Sequence, residues 1–257
     1  MHDIVEVQGI KTSYIKEGDP HNNLVLFVHG WGGTKETWQP FLKPIGTDRF
    51  FTVAIDFPGF GESENPGHWG VENYSRFLEQ LIGKLGKNRV SLVGRSFGGR
   101  IVANLAAERA NLVDKLVLVS AAGIPDDSLK SRIKKNIAEM GKKAFTLPGL
   151  RNFSSEARDF LYKIYGVSNY TDSDGGKKEI FVKSAGFRIE SILGKIESPT
   201  LIIWGKEDNE TPLENAYIMD SLIPNSRLVV LPNAGHQVQE DQKSRFTFEV
   251  TSFLLSK

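Results

Sequence analysis

Cysteine is absent from the 257 residues, which removes disulfides, thiolate metal sites and cysteine nucleophiles together. No apolar run approaches the ~18 residues of a membrane span. Neither sign of charge dominates: 32 Lys and Arg against 31 Asp and Glu leave a net charge of +1, so no overall basic field points to nucleic acid. The opening stretch Met1–Ile10 lacks the basic-then-apolar layout of a secretory leader, and cytoplasmic residence is the expectation. Internal repeats and long low-complexity linkers are missing too. Histidine is scarce, five in all, which narrows the search for an imidazole base. What is present is a chain 40% hydrophobic and 25% charged, long enough for one large α/β domain or a domain carrying an insertion.

Short apolar runs recur along it: Leu24–Val28, Phe51–Ile55, Val90–Val93, Lys115–Val119, Thr200–Ile203 and Leu228–Leu231. Their apolarity is continuous, which suits strands of a parallel sheet buried on both faces. Between them Tyr74, Phe77, Leu78, Leu81, Ile82 and Leu85 mark one face of a helix, and Phe246, Val250, Phe253 and Leu254 mark another. Val5–Val7 and Lys11–Lys16, separated by Gly9, read as an antiparallel edge hairpin. The fold expected is α/β, a mostly parallel doubly wound sheet of about eight strands.

From about Pro125 to Lys195 the rhythm breaks. Leu129, Ile133, Ile137 and Met140 form one apolar face flanked by Lys130, Lys134, Lys135, Lys142 and Lys143. We expect a helical insertion over residues 125–195, lying over the C-terminal edge of the sheet, with 1–124 and 196–257 forming the core. Its aromatic side chains are assigned no site, and its lysines suit a solvated face.

The chemistry centres on Gly94-Arg95-Ser96-Phe97-Gly98, a G-x-S-x-G turn between a strand and an Ala/Leu-rich helix. A serine hydroxyl is a poor nucleophile at neutral pH and needs a base oriented by a carboxylate. His236 is the one histidine that follows Ser96, in a loop directly after the last apolar run. The acid expected is Asp208, mid-loop after Thr200–Ile203. Glu207 and Glu210 are rivals there, read as solvated, and Asp126 or Asp127 is an alternative after the preceding strand. Thr211-Pro212 should open the next helix by capping and N1-proline logic. Backbone donors for an oxyanion should come from Phe97, at a helix N-terminus, and from Trp31 in His29-Gly30-Trp31-Gly32-Gly33, with His29, Gly30 and Gly32 supporting that loop. Arg95 either binds a substrate carboxylate or packs between helix and sheet.

Together these segments, with Asp56-Phe57-Pro58-Gly59-Phe60-Gly61-Glu62-Ser63, resemble the α/β-hydrolase fold superfamily over nearly the whole chain outside the insertion. The resemblance implies Ser96, Asp208 and His236 as a triad and Trp31 and Phe97 as oxyanion donors. It implies a structural turn at Asp56–Ser63 and makes 125–195 a small helical cap. A serine at 96 sets the chain apart from branches with a nucleophilic aspartate. The expected activity is hydrolysis of small to medium carboxylic esters through an acyl-enzyme, with no metal or organic cofactor. Capped members that cleave a carbon–carbon bond in a ring-cleavage diketone are the alternative, with lactonase or thioesterase activity behind them. A small-molecule receptor on the same fold is the non-enzymatic one. The expected partner is a small-molecule ester, and the expected state a monomer or homodimer.

Overall fold

The computed structural model describes residues 2–46, 48–125, 180, 183–184 and 186–256. Apart from Pro125 they belong to one compact unit, Met1–Ile124 with Glu179–Lys257. The second unit, Pro125–Lys178, is otherwise outside the described residues. So are the expected lysine-flanked face Leu129–Met140 and the alternative acids Asp126 and Asp127. The end of the expected insertion is described: Ile189, Leu193 of the helix Glu190–Leu193, and Ile196 are buried in the same cluster as the sheet.

The sheet has eight strands: β1 Asp3–Val7, β2 Ile10–Glu17, β3 Asn23–Val28, β4 Phe50–Ile55, β5 Val90–Arg95, β6 Val113–Val119, β7 Thr200–Gly205 and β8 Ser226–Leu231. Their spatial order is β1-β2-β4-β3-β5-β6-β7-β8. β2 runs antiparallel to both β1 and β4, and the remaining neighbours are parallel. β1 and β2 turn at Gln8 and Gly9, both at positive φ (56° and 76°), the conformation a two-residue hairpin demands.

The continuous apolar runs are explained by two cores. In β3, Leu24, Leu26 and Val28 join the larger hydrophobic cluster, while Val25 and Phe27 join the smaller one on the opposite face. All five are fully buried, each stabilising the fold by about 1.5–3 kcal/mol. Helices α2 (Val71–Lys84) and α3 (Phe97–Glu108) cover the first face. Helix α1 (Gln39–Gly46) and the helix Lys243–Leu255 cover the second. The predicted α2 stripe is buried from Tyr74 to Ile82, and Phe246, Val250 and Leu254 are buried on the last helix.

Strand order places the chemistry. The chain leaves β3 toward β4 on one side, but β5 lies on the other side of β3. In open α/β sheets such a reversal, at the carboxyl ends of the strands, is where ligands bind. Val28 pairs with Gly94, so the loop beginning at His29 comes level with Arg95 and Ser96. No helix among the described residues is long and apolar enough to cross a membrane.

Candidate active site

Ser96 stands between β5 and α3 with φ 50° and ψ −113°, a left-handed conformation that strains an L-residue. Its neighbours hold it there. Ser96 N–H donates to the Val119 carbonyl at 2.9 Å, and Ala122 and Arg100 N–H groups donate to its own carbonyl at 3.0 and 3.1 Å. The flanking glycines are steric necessities. A Cβ on Gly94 would stand 2.5 Å from Val102 Cγ2, and one on Gly98 would stand 2.5 Å from the His29 carbonyl oxygen. The turn is tight because β3, β5 and α3 meet here with no room for a side chain.

The loop after β3 comes directly against this turn: a Cβ on Gly30 would lie 3.2 Å from Ser96 Cβ. Gly33 N–H donates to the Gly30 carbonyl at 3.1 Å, and Gly32 sits at φ 67°, a type II turn with Trp31 at its first corner. The Trp31 ring packs edge-on against Phe60 and Phe97, centroids 5.0 and 5.2 Å away. His29 is fully buried. Its Nδ1–H donates to the Gly30 carbonyl at 2.7 Å and its Nε2 accepts from Phe57 N–H at 3.0 Å. That pairing defines a neutral ring, and burial pushes its pKa down to about 4.

The Asp56–Ser63 turn is tied to the same loop. Buried Asp56 accepts from Lys35 N–H (2.7 Å), Lys35 Nζ (2.8 Å) and Glu62 N–H (2.9 Å). Lys35 Nζ also donates to Glu62 at 2.8 Å and lies 3.0 Å from Glu36. Burial alone would lower the Lys35 pKa, but its bonds to Asp56, Glu62 and Glu36 outweigh this and raise it. Lys35 was not singled out in the sequence. Its partners lie 21 and 27 residues away, beyond any local pattern.

The loops after β7 and β8 bring Asp208 and His236 together. His236 Nδ1–H donates to Asp208 Oδ2 at 2.9 Å, and the two side chains are only 7% and 0% exposed for His and Asp respectively. Glu210 and Thr211 N–H groups each donate to Asp208 Oδ1 at 2.9 Å, and the Thr211 hydroxyl donates to Oδ2 at 2.8 Å. Burial would raise the Asp208 pKa, yet the His236 bond and charge, with Thr211, hold it below the usual carboxylate range. Glu207 turns away to accept the Ala234 N–H at 2.9 Å.

One reading of this loop needs correction. Thr211 does not cap the next helix, which runs Leu213–Leu222 with Pro212 at its N-cap and no side-chain cap bond. Its hydroxyl instead serves Asp208 and lies 3.2 Å from His236 Nδ1. The Asx-turn spacing, an Asp with backbone donors two and three residues on, was the sequence signal for it. Glu210 is exposed as expected, but its Oε2 lies 3.6 Å from His236 Nε2. Among the described residues no hydrogen bond joins Ser96 to His236. Such bonds are often long before substrate binds.

Chemically, the parts are a strained serine, a buried carboxylate–imidazole pair and the N-terminus of α3, whose first N–H groups have no intrahelical partner. Arg95 is largely buried, which lowers its pKa, and it senses the charges of Glu210, Glu240 and Asp208. No group of three or more His, Asp or Glu side chains among the described residues is placed to hold a metal ion.

Comparison with known proteins gives a consistent picture. The family model described as "alpha/beta hydrolase fold" matches residues 23–145 and 151–243. The chain is 26% identical over 267 residues to a 2-hydroxy-6-oxo-6-(2'-aminophenyl)hexa-2,4-dienoic acid hydrolase of Metapseudomonas resinovorans, covering 97% of this chain and 89% of that one. It is 28% identical to a 2-hydroxy-6-oxo-2,4-heptadienoate hydrolase of Pseudomonas putida, covering 97% and 94%. Among solved structures, a bacterial membrane phospholipase A superposes with a TM-score of 0.79 at 24% identity, covering 99% of this chain and 85% of that one.

Proposed function

The chain belongs to the α/β-hydrolase fold family, and from that premise we propose that it is a serine hydrolase that cleaves carboxylic esters through an acyl-enzyme. The observation that carries this reading is the juxtaposition at the carboxyl ends of the strands. A serine at φ 50° lies against the Gly30 loop, within the same set of strand ends as a buried Asp208–His236 pair.

In the proposed cycle Ser96 Oγ attacks the ester carbonyl carbon as His236 Nε2 takes its proton. Asp208 fixes the imidazole tautomer through Nδ1–H and stabilises the imidazolium. The oxyanion is held by the Phe97 and Trp31 N–H groups, each such donor worth about 2.7–4 kcal/mol of barrier. His236 returns the proton to the leaving oxygen as the C–O bond breaks, and water then releases the acid from Ser96.

A second reading is favoured by the relatives. Two of them, at 26% and 28% identity, carry the names of dienoic acid and dienoate hydrolases, and on this reading Ser96, His236 and Asp208 would serve cleavage of a carbon–carbon bond in a ring-cleavage diketone. The test is initial-rate hydrolysis of p-nitrophenyl acetate, butyrate and octanoate by wild type and Ser96→Ala. Ester release that Ser96→Ala abolishes supports the esterase. Release that survives the substitution sinks Ser96 as nucleophile. Turnover of ring-cleavage diketones with negligible ester release moves the assignment to the carbon–carbon hydrolase.

A further inference from the structure

The acid loop holds a second carboxylate beside the base. Glu210 is 73% exposed, yet its Oε2 stands 3.6 Å from His236 Nε2, the ring nitrogen opposite the one bound by Asp208. The approach is built into the backbone. Glu210 N–H donates to Asp208 Oδ1 at 2.9 Å, so the turn that organises the orienting acid also sets where the Glu210 side chain begins. The other charges facing this region are Asp208, which is committed to Nδ1 and Thr211, and Arg95 and Glu240. Arg95 makes no ion pair with Glu210 among the described residues, so the Glu210 charge is only partly offset.

Resting on the serine-hydrolase reading, we propose that Glu210 is a specificity-determining residue for the leaving group. It favours cationic over neutral leaving groups and disfavours anionic ones. When the tetrahedral intermediate collapses, the C–O bond breaks with its electron pair going to oxygen. The proton on His236 Nε2 moves to that oxygen, and the acyl group stays on Ser96 Oγ. The departing alcohol therefore passes the nitrogen that Glu210 Oε2 faces. A charge a few ångströms along that alcohol interacts with an exposed carboxylate, an effect of about 3- to 5-fold per charge, which salt should shrink.

The experiment compares three acetate esters of matched shape: choline (cationic), 3,3-dimethylbutanol (neutral) and 4-hydroxy-2,2-dimethylbutanoate (anionic). In the wild type kcat/KM should fall in that order, with about 10-fold between first and last at low salt. Glu210→Gln should compress the spread to about 2-fold, and Glu210→Lys should reverse it. Ratios are read within each protein, so a general loss of activity moves all three esters together and leaves the ratio alone. A wild-type spread retained in Glu210→Gln overturns the inference. For a wild type that turns over none of the three, the same ratios are read from phosphonylation of Ser96 by methylphosphonothiolates with cationic and neutral thiol leaving groups. Phosphonylation with an unchanged ratio in Glu210→Gln overturns the role of Glu210 alone. No turnover and no phosphonylation overturns the serine-hydrolase reading, and this inference falls with it.

Discussion

The surroundings of Ser96 differ on its two sides. Toward β3 the chain is cross-tied by buried polar groups whose bonds are all local to the scaffold: His29 links Gly30 to Phe57, and Lys35 links the loop to Asp56 and Glu62. Toward β7 and β8, Asp208 and His236 are buried as a pair, but the far nitrogen of His236 faces the exposed carboxylate of Glu210. Under the proposed reaction the division makes physical sense. Donors that stabilise an oxyanion work best when they neither move nor titrate, whereas a base must exchange its proton in every cycle. His29 and His236 illustrate it: one imidazole has both nitrogens occupied by backbone, and the other has one nitrogen oriented and the other available to reacting groups.

The comparison breaks most sharply on the base side. Asp208→Asn should preserve the loop's shape and lower kcat by about 10³–10⁴-fold, with KM changed only a few-fold, because the imidazole loses its tautomer and its counter-charge. Steady-state kinetics on a p-nitrophenyl ester, with a circular dichroism spectrum to establish folding, would decide it. A loss under 10-fold would remove Asp208 from the orienting role.

On the donor side the largest effect should fall on stability. Lys35→Met removes the cation from buried Asp56 and should cost about 3–4 kcal/mol in urea unfolding. The low end of the range applies because Glu62 leaves one end of the network half exposed. Destabilisation below 1 kcal/mol would show that the tie between the two loops contributes little.

The smallest effect, and the one that sharpens the contrast, is pH dependence from His29. Its folded pKa of about 4 lies below the ordinary 6.5, so the unfolded chain takes up a proton first as pH falls. The stability it contributes is whole above pH 6.5, declines between 6.5 and about 4, and changes no further below that. The loss should reach at most ~3 kcal/mol. Urea titrations across that window should show the slope in wild type and a shallower one in His29→Gln. Equal slopes would mean that this imidazole charges in place.

Much of this was readable from residues alone. Val90–Val93 followed by Gly94, Ser96 and Gly98 announces a strand, a tight turn and a helix, because each step is governed by neighbours in sequence. Asp208 and His236 were named from their places after successive apolar runs, and the structure hydrogen-bonds them to each other. The Thr211 hydroxyl was misread because the N-cap rule and the Asx turn compete for the same Asp-x-x-Thr-Pro stretch. In the structure the hydroxyl goes to Asp208 Oδ2, three residues back.

The sequence by itself determined the succession of strands and helices, the two-faced burial of the central strands, and which residues stand at their carboxyl ends. Those depend on apolar periodicity and on backbone sterics at a few glycines, interactions that reach only a turn or two along the chain. Tertiary structure alone decided that Lys35 would find Asp56 and Glu62, that Gly30 would rest against Ser96, and that Glu210 would face the second nitrogen of His236. Those contacts follow from strand order and register. Pairing β3 with β5, and β7 with β8, brings together loops that are dozens of residues apart, and no local pattern encodes which side chains will then meet.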